Sequence, residues 1–203
     1  MGKVAIRTYD RDTSVVFLKT QEAFGGLSNM AGGYPLIVNG VRILTSEALY
    51  QACRFPLNPK VQELIISQNS PMTAKMRSKP YRVDTREDWL RVRVRIMKWC
   101  VTCKLVQNWT KFSSLLQETG VAPIVEQSRS DMFWGAVPGK SNNLVGANVL
   151  GRLLMELRET IKTNGEIHIL PPPSIEDFLL YGNPIKEIQL KESTEPYQRD
   201  SLF

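Results

Sequence analysis

The clearest separation of hydrophobic and polar positions along the chain lies in residues 44–56. Thr45 or Ser46 is a natural N-cap, and Pro56 is expected to end the helix just after Phe55. The positions expected to face the core recur at helical spacing and are Ala48, Leu49, Ala52 and Phe55. The pattern therefore predicts an amphipathic helix, with two small alanines that let another backbone come close.

The opposite face of this helix carries a line of polar residues. They follow at i, i+3, i+4 and i+7 and are Glu47, Tyr50, Gln51 and Arg54. One interpretation is a solvated face with an i, i+4 hydrogen bond. The other is a ligand-binding line, favoured by the aromatic residue within it and by the apolar, glycine-rich stretch 24–30 just upstream.

The rest of the pattern predicts an α+β fold: one mostly helical domain with a small β-sheet. The extended segments are expected at residues 14–18, at a hairpin around Asn39-Gly40, and at 122–126. Further helices are expected at 61–66, from Ser70-Pro71 onward, at 89–108, at 111–118 and at 149–158. Residues 90–96 alternate as a strand does, but a longer stripe at helical spacing reaches Leu105 and favours a helix.

From Asn164 onward the hydrophobic pattern decays. We therefore expect a domain over residues 1–163. Residues 164–203 form a proline-spaced, charged extension that either packs on this domain or trails from it.

Composition narrows the functional classes. The chain has 203 residues, 42% hydrophobic and 23% charged, which is usual for a globular domain. A net charge of +6 favours polyanionic partners such as nucleic acid or phosphorylated small molecules. The sequence shows neither a signal peptide nor a membrane span, which predicts a cytoplasmic protein that does not contact membranes.

The sequence offers few cysteine and histidine ligands for a metal, and only one histidine that could act as a general base. Cys100 and Cys103 have the spacing of half a metal site, but no second cysteine pair exists and they fit a helical core better. His168 is the only histidine, and its position between Ile167 and Ile169 predicts a packed strand residue. We therefore expect no metal and no cofactor, and proton transfer by carboxylates, lysines or water.

Two basic features have open interpretations. The helix start at Ser70-Pro71, followed by Lys75 and Arg77, is either a phosphate seat or a solvated basic turn. Lys104 lies within reach of the apolar stripe of its helix, and such a lysine usually extends its amine to solvent. If it cannot, burial would lower its pKa and supply a neutral, nucleophilic amine.

A series of short motifs over roughly residues 24–158 resembles the YbiA-like, or NADAR, superfamily. Each motif is weak, but their order and spacing are specific. They are Leu27-Ser28-Asn29, Thr45-Ser46-Glu47-x-x-Tyr50-Gln51-Ala52, Arg54-Phe55, Ser70-Pro71-Met72, Asp88-Trp89, Met97, Lys104, Thr119-Gly120, Val125-Glu126, Asp131-x-x-Trp134-Gly135, Gly146-x-Asn148-x-Leu150-Gly151 and Leu154-Met155-x-Leu157-Arg158.

The resemblance implies an enzyme that hydrolyses N-glycosidic bonds of ribosyl nucleotides. One branch acts on riboflavin-pathway ribosylamino-pyrimidine phosphates. Another removes ADP-ribose from guanine bases as the antitoxin to a DNA ADP-ribosyltransferase toxin. The chain lacks the glycine-dense run after Trp134-Gly135 that is usual in the first branch. This difference and the basic charge favour the second branch, with ADP-ribosylated nucleic acid as the ligand and the toxin as functional partner. A module that binds ADP-ribose or NAD without cleaving anything is the remaining alternative.

The resemblance also implies roles for individual residues. Lys104 matches the family's lysine and is the first candidate for a Schiff base with the sugar, with Lys75 second. Glu47 and Asp131 are the expected proton carriers, and Glu126 is expected to orient the lysine. The expected substrate-binding residues are Asn29, Tyr50, Trp134, Gly135 and Asn148. Structural roles stay open at this point: Trp134 as a core residue and Glu126 as an ion-pair partner. Two carboxylates activating water are the alternative to the lysine route.

Overall fold

The computed structural model describes residues 4–190, and within them six α-helices and eleven short strands form one domain. The helices are α1 (Ser46–Ala52), α2 (Pro59–Ile66), α3 (Pro71–Ser78), α4 (Trp89–Gln107), α5 (Trp109–Glu118) and α6 (Val149–Asn164). Two 3-10 helices cover Gly25–Leu27 and Lys79–Asp84. The predicted α+β class, a single and mostly helical domain, is confirmed.

The strands form several small ladders instead of the single sheet expected. They are β1 (Arg7–Asp10), β2 (Val15–Phe17), β3 (Leu36–Val38), β4 (Val41–Ile43), β5 (Ile124–Glu126), β6 (Val137–Pro138), β7 (Asn143–Gly146), β8 (Ile169–Leu170), β9 (Leu179–Leu180), β10 (Asn183–Pro184) and β11 (Ile188–Gln189). The first strand joins β7 and β6 in an antiparallel sheet, while β2 pairs with β5 in parallel. Three more antiparallel pairs are β3 with β4, β8 with β11, and β9 with β10.

Helix α4 is the central element of the core. It packs against α1, α5 and α6 and against β3, β8 and β11. Val92, Ile96, Cys100, Val101 and Leu105 are all buried. The helical interpretation of this segment is confirmed, because only helical geometry turns these residues toward neighbours on several sides. Both predicted core cysteines are buried and free.

The elements around α1 follow the local sequence signals. Asn39 and Gly40 both have positive φ, 49° and 78°, as the tight turn between β3 and β4 requires. Thr45 caps α1 by accepting a hydrogen bond from the backbone N–H of Ala48. The helix is shorter than predicted, because it ends at Ala52 and the chain continues as a turn to Phe55.

Beyond α6, residues 165–190 pack on the domain. Phe178 and Ile188 are buried in the same core as α4. Gln62 of α2 holds this segment by donating to the carbonyl of Leu179 at 3.0 Å and accepting from the backbone N–H of Tyr181 at 2.7 Å. The rest of the predicted extension, residues 191–203, lies outside the described part.

The prediction for His168 is wrong. Its side chain is exposed, and it lies just before β8 instead of within a strand. The flanking isoleucines gave a misleading signal, since Ile169 is itself 55% exposed. Within residues 4–190, none of the helices is long and apolar enough to cross a membrane.

Candidate active site

The polar line of α1 is buried. Glu47 is 6% exposed, Gln51 5% and Tyr50 5%, so the interpretation as a solvated face is wrong. Helix α3 and helix α4 both pack against α1 and cover this line. Buried polar groups need partners, and the residues below supply them for Glu47 Oε1 and for the Gln51 amide.

A hydrogen-bond network fixes two side chains of α1, the amide of Gln51 and the carboxylate of Glu47. Gln51 Nε2 donates to Glu47 Oε1 at 2.9 Å. Gln51 Oε1 accepts from Arg54 Nη1 at 3.3 Å and from Ser78 Oγ at 3.2 Å. These donors orient the Gln51 amide so that its NH2 group faces Glu47. Within residues 4–190 nothing donates to Glu47 Oε2, which leaves this oxygen available to a ligand or water.

Asn29 braces the start of α1. Its backbone carbonyl accepts from the backbone N–H of Glu47 at 3.1 Å and from Ser46 Oγ at 3.2 Å. Its side-chain oxygen also accepts from Ser46 Oγ, and its NH2 group contacts the sulfur of Met97. The side chain expected to bind substrate is therefore engaged with the protein, and it positions Glu47.

Lys104 holds the preceding loop from inside the core. It is 1% exposed, and its Nζ donates to the carbonyls of Gly26 and Ser28 at 2.5 and 2.9 Å. The rings of Tyr34 and Phe112 lie 4.3 and 4.4 Å from the same nitrogen. Burial lowers the pKa of Lys104 well below its usual value, as expected for a lysine that does not reach solvent. The contacts give it an anchoring role, and its predicted part as a nucleophile stays a prediction.

The end of β5 contributes Glu126, whose environment suits proton transfer. The pKa of this carboxyl is raised to about 7, first by burial and then by the negative charges of Glu47 and Asp131, while Lys75 opposes the shift. These four residues come from α1, β5, the following loop and α3. Four of the five expected catalytic residues thus affect one another through charge, Lys104 is not among them, and their catalytic roles stay predictions.

Two of the expected substrate-binding residues support this strand. Asn148 is fully buried and adopts the left-handed conformation. Its side chain accepts from the backbone N–H of Glu126 at 3.1 Å and donates to the carbonyl of Ile124 at 2.8 Å. At Gly135, a Cβ atom would lie 2.5 Å from the carbonyl oxygen of Glu126, so only glycine allows this approach. Both residues hold Glu126 in place through its backbone.

Asp131 caps the loop that leads back from β5. Its Oδ1 accepts from the backbone N–H groups of Phe133 and Trp134, both at 2.9 Å. The side chain is exposed, so its second oxygen can still reach a ligand. The cap turns the Phe133 and Trp134 rings toward α1 and α4.

Four neighbouring rings form a surface that we call the aromatic wall, namely those of Tyr50, Trp89, Phe133 and Trp134. The Tyr50 ring lies 5.6 Å from that of Trp134 and 5.0 Å from that of Trp89, measured between centroids. Trp134 itself is half-buried. The stacking role predicted for Trp134 is compatible with this geometry.

Arg93 belongs to the same wall and was missed from the sequence. Its guanidinium carbon lies 3.8 Å from the centroid of the Phe133 ring and 6.0 Å from that of Trp134. A signal was present, since Arg93 follows Trp89 and precedes Met97 by one helical turn each. Three charged residues in close succession on α4 concealed it.

Helix α3 borders the site on its basic side. Ser70 caps it by accepting from the backbone N–H of Thr73, and Pro71 occupies its first turn, as predicted. The Lys75 side chain is exposed and makes no hydrogen bond or ion pair within residues 4–190. The same holds for the side chains of Arg77, Lys79 and Arg82 farther along the chain. Burial lowers the pKa of Arg54, and the positive charge of Arg82 adds to this shift, while the charges of Tyr50 and Glu47 oppose it.

Two surface pockets lie elsewhere on the molecule. One, of about 460 Å³, opens between the β3–β4 hairpin and residues 183–189, and the other, of about 230 Å³, lies beside Gln107 and Asn108. Neither pocket is lined by Glu47, Glu126 or Asp131. Within residues 4–190, no three histidine, cysteine or acidic side chains are grouped as metal ligands.

The fold and the site together define a small α+β protein that has acid–base groups, an aromatic wall and a basic rim. The basic rim consists of the exposed side chains of Lys75, Arg77, Lys79 and Arg82. The chain belongs to the NADAR domain family, which it matches over residues 16–162. This confirms the resemblance to the YbiA-like superfamily, while the assignment to the toxin-associated branch stays a prediction.

Individual relatives agree with this assignment. The chain is 36% identical over 155 residues to N-glycosidase YbiA of Shigella boydii, a match that covers 74% of this chain and 90% of the relative. Against a riboflavin biosynthesis protein of Vibrio vulnificus it is 30% identical over 186 residues, covering 87% of this chain and 48% of the relative. The NMR structure of the Escherichia coli protein YbiA superposes with a TM-score of 0.61 at 31% identity, over 75% of this chain and 90% of that one.

Proposed function

We propose that this protein removes ADP-ribose from guanine bases of nucleic acid by hydrolysing the N-glycosidic bond. The coarser class follows from its relatives: the chain is a hydrolase of N-glycosyl bonds, as the relatives named N-glycosidase indicate. The finer assignment is supported by one observation above all. The carboxyl of Glu126, with a pKa of about 7, responds to the charges of Glu47, Asp131 and Lys75, and the exposed Lys75 has no side-chain partner among the described residues.

The chemistry assigns separate tasks to these groups. Breaking an N-glycosidic bond is easier when the leaving nitrogen receives a proton. Glu126, with a pKa of about 7, is protonated in a useful fraction of molecules near neutral pH and can supply it. The buried carboxylate of Glu47 keeps one free oxygen, Oε2, which can orient the attacking group or take up its proton.

Two attacking groups fit the site. In the first route, water adds to the anomeric carbon as the bond to the base breaks, and a carboxylate takes the water's proton. In the second, Lys75 first gives a proton to a carboxylate or to water, and its neutral Nζ then forms the new bond to that carbon. The base leaves with a proton from Glu126, and the sugar ring opens to a Schiff base. Water then adds to the imine, and ADP-ribose leaves as the amine is restored. We place Lys75 before Lys104, because Lys75 is exposed and within electrostatic reach of Glu126, which can take up its proton, whereas Lys104 Nζ is bound to carbonyls of the loop 24–30.

The basic rim favours a substrate with several phosphates. Lys75, Arg77, Lys79 and Arg82 are exposed and lie close together in sequence on α3 and the 3-10 helix after it, and the charge of Lys75 acts on Glu126. Such a run of unpaired cations suits the diphosphate of ADP-ribose together with the neighbouring backbone phosphates of a nucleic acid. An ADP-ribosyltransferase toxin that modifies guanine is the partner this activity requires, and we expect the two to act in the cytoplasm.

A second candidate is favoured by a specific observation. The relative from Vibrio vulnificus named for riboflavin biosynthesis matches 87% of this chain. The alternative substrate is accordingly a ribosylamino-pyrimidine phosphate. Its single phosphate would need fewer of the cations on the rim.

One experiment separates these functions. The purified protein is incubated with an oligonucleotide carrying ADP-ribosylated guanine, and separately with a ribosylamino-pyrimidine phosphate, and the released sugars are quantified by mass spectrometry. Free ADP-ribose that Glu47→Gln fails to release supports the proposal. Release of ribose 5-phosphate alone supports the second candidate. Binding of ADP-ribose with no release from either substrate would make the protein a non-catalytic binding module.

A further inference from the structure

Among the residues that the structure describes, Arg93 is the one arginine of the aromatic wall whose charge has no polar partner. Its Nε is buried and has no hydrogen-bond partner. Within residues 4–190, its guanidinium makes no hydrogen bond or ion pair at all. Neighbouring arginines on α4 differ, since Arg91 pairs with Asp88 and Arg95 donates to the carbonyl of Ser174.

A half-buried guanidinium without hydrogen bonds is unfavourable unless something compensates it. The Phe133 ring, 3.8 Å from the guanidinium carbon, provides a cation–π contact. That contact leaves every N–H group of the fork without an acceptor. A half-buried guanidinium beside aromatic rings, with one buried N–H and no acceptor within residues 4–190, can take its acceptors from a ligand.

The position of Arg93 indicates which part of the substrate would supply these hydrogen-bond acceptors. The exposed cations of the basic rim lie on α3 and the 3-10 helix after it, next to Lys75. Arg93 instead lies on the wall formed by Phe133 and Trp134, and its charge also acts on Tyr50. A base stacked on this wall would present its edge to the guanidinium.

We propose that Arg93 binds the acceptor edge of the leaving base and so makes the site prefer guanine over adenine. Guanine carries two adjacent acceptors, O6 and N7, that match the planar fork of an arginine. Adenine offers a donor in place of O6, so the same fork fits it poorly. This inference rests on the proposed function for its choice of base.

The test measures base recognition without hydrolysis. Guanosine, adenosine and ADP-ribose are each titrated into the wild type and into Arg93→Met, with calorimetry as the readout. We expect the wild type to bind guanosine at least about 10-fold more tightly than adenosine. In Arg93→Met this preference should disappear, while the affinity for ADP-ribose stays within about twofold.

Two further variants keep the result interpretable. Arg93→Lys retains the positive charge but lacks the fork, and it should fail to restore the preference. Arg91→Met removes a charge from the same helix at an exposed position and should leave the preference intact. Thermal melting of each variant is recorded so that binding is compared only between folded proteins.

The outcomes divide cleanly. A loss of ADP-ribose affinity in Arg93→Met would overturn the inference in favour of phosphate binding. An unchanged guanosine preference, or a wild type with none, would overturn it as well. If the wild type hydrolyses the modified oligonucleotide and yet shows no preference, only this inference fails. A preference that depends on Arg93, without any hydrolysis, would leave the inference standing while the proposed activity fails.

Discussion

Gln51 Nε2 donates a 2.9 Å hydrogen bond to Glu47 Oε1 between two side chains of α1 that are both buried. Because Arg54 and Ser78 occupy the Gln51 carbonyl oxygen, the amide cannot turn away from the carboxylate. One oxygen of Glu47 is thus fixed by the protein, and the other remains for the reaction. This relationship makes Glu47 the residue whose chemistry can be altered with the least change in structure.

Glu47→Gln should lower the hydrolysis rate at least about 100-fold, because the neutral amide can neither take up a proton nor carry the charge. The fold should persist, since the substitution keeps the size of the side chain. The measurements are the turnover rate and the melting temperature. Full activity would remove Glu47 from the reaction, and a collapse of the melting temperature would make its role structural.

The two lysines should separate in stability and activity. Lys75→Met should abolish turnover in the lysine route but leave the melting temperature unchanged, because Lys75 is exposed. Lys104→Met should cost about 1–3 kcal/mol of unfolding free energy, since the carbonyls of Gly26 and Ser28 lose their donor. Lys60→Met, which removes an exposed lysine from α2, is the matched control and should change neither quantity.

Chemical trapping completes this comparison. Borohydride added during turnover should reduce a Schiff base and attach the sugar to the protein, and peptide mapping should locate it on Lys75. An adduct on Lys104 would restore the order of candidates expected from the family. An adduct on neither lysine, with normal hydrolysis, would falsify the lysine route and leave water as the attacking group.

Glu126 predicts a defined dependence of stability on pH. Its pKa is about 7 in the folded protein against the usual 4.5, so the folded state binds more protons between these values. Stability therefore decreases as pH rises through this range. Glu126→Gln removes this effect, and it should melt higher than the wild type at pH 8 by about 2–4 °C or more, and by less at pH 5. Equal differences at both pH values would contradict the raised pKa.

Asn148→Ala should destabilise the protein by about 2–4 kcal/mol. It removes the hydrogen bonds to Ile124 and Glu126 and places alanine at a φ of 48°, which favours asparagine or glycine. Chemical denaturation measures the loss. Ser141→Ala, also at positive φ but exposed and without a side-chain hydrogen bond within residues 4–190, is the control for the backbone contribution. A variant that keeps its stability but loses substrate affinity would return Asn148 to the binding role expected from the sequence.

By itself, the sequence determined those features that depend on neighbouring residues. The cap at Thr45, the Asn39-Gly40 turn and the proline start of α3 all follow from local backbone preferences, and the structure has each of them. The family motifs also identified most of the residues that meet at the site. Local signals failed at His168, where two isoleucines suggested burial that the tertiary fold does not provide.

Only the tertiary structure decided which of these side chains are buried and which charges act on one another. Whether Lys104 reaches solvent depends on the loop 24–30, which closes over its amine from 76 and 78 positions away along the chain. Whether the polar line of α1 is solvated depends on α3 and α4 packing over it, and the pKa of Glu126 depends on charges brought from three other segments. Burial and charge proximity are properties of chain segments far apart in sequence, so no local pattern encodes them. For the same reason Arg93, one charge among several on α4, stands out only once Phe133 lies against it.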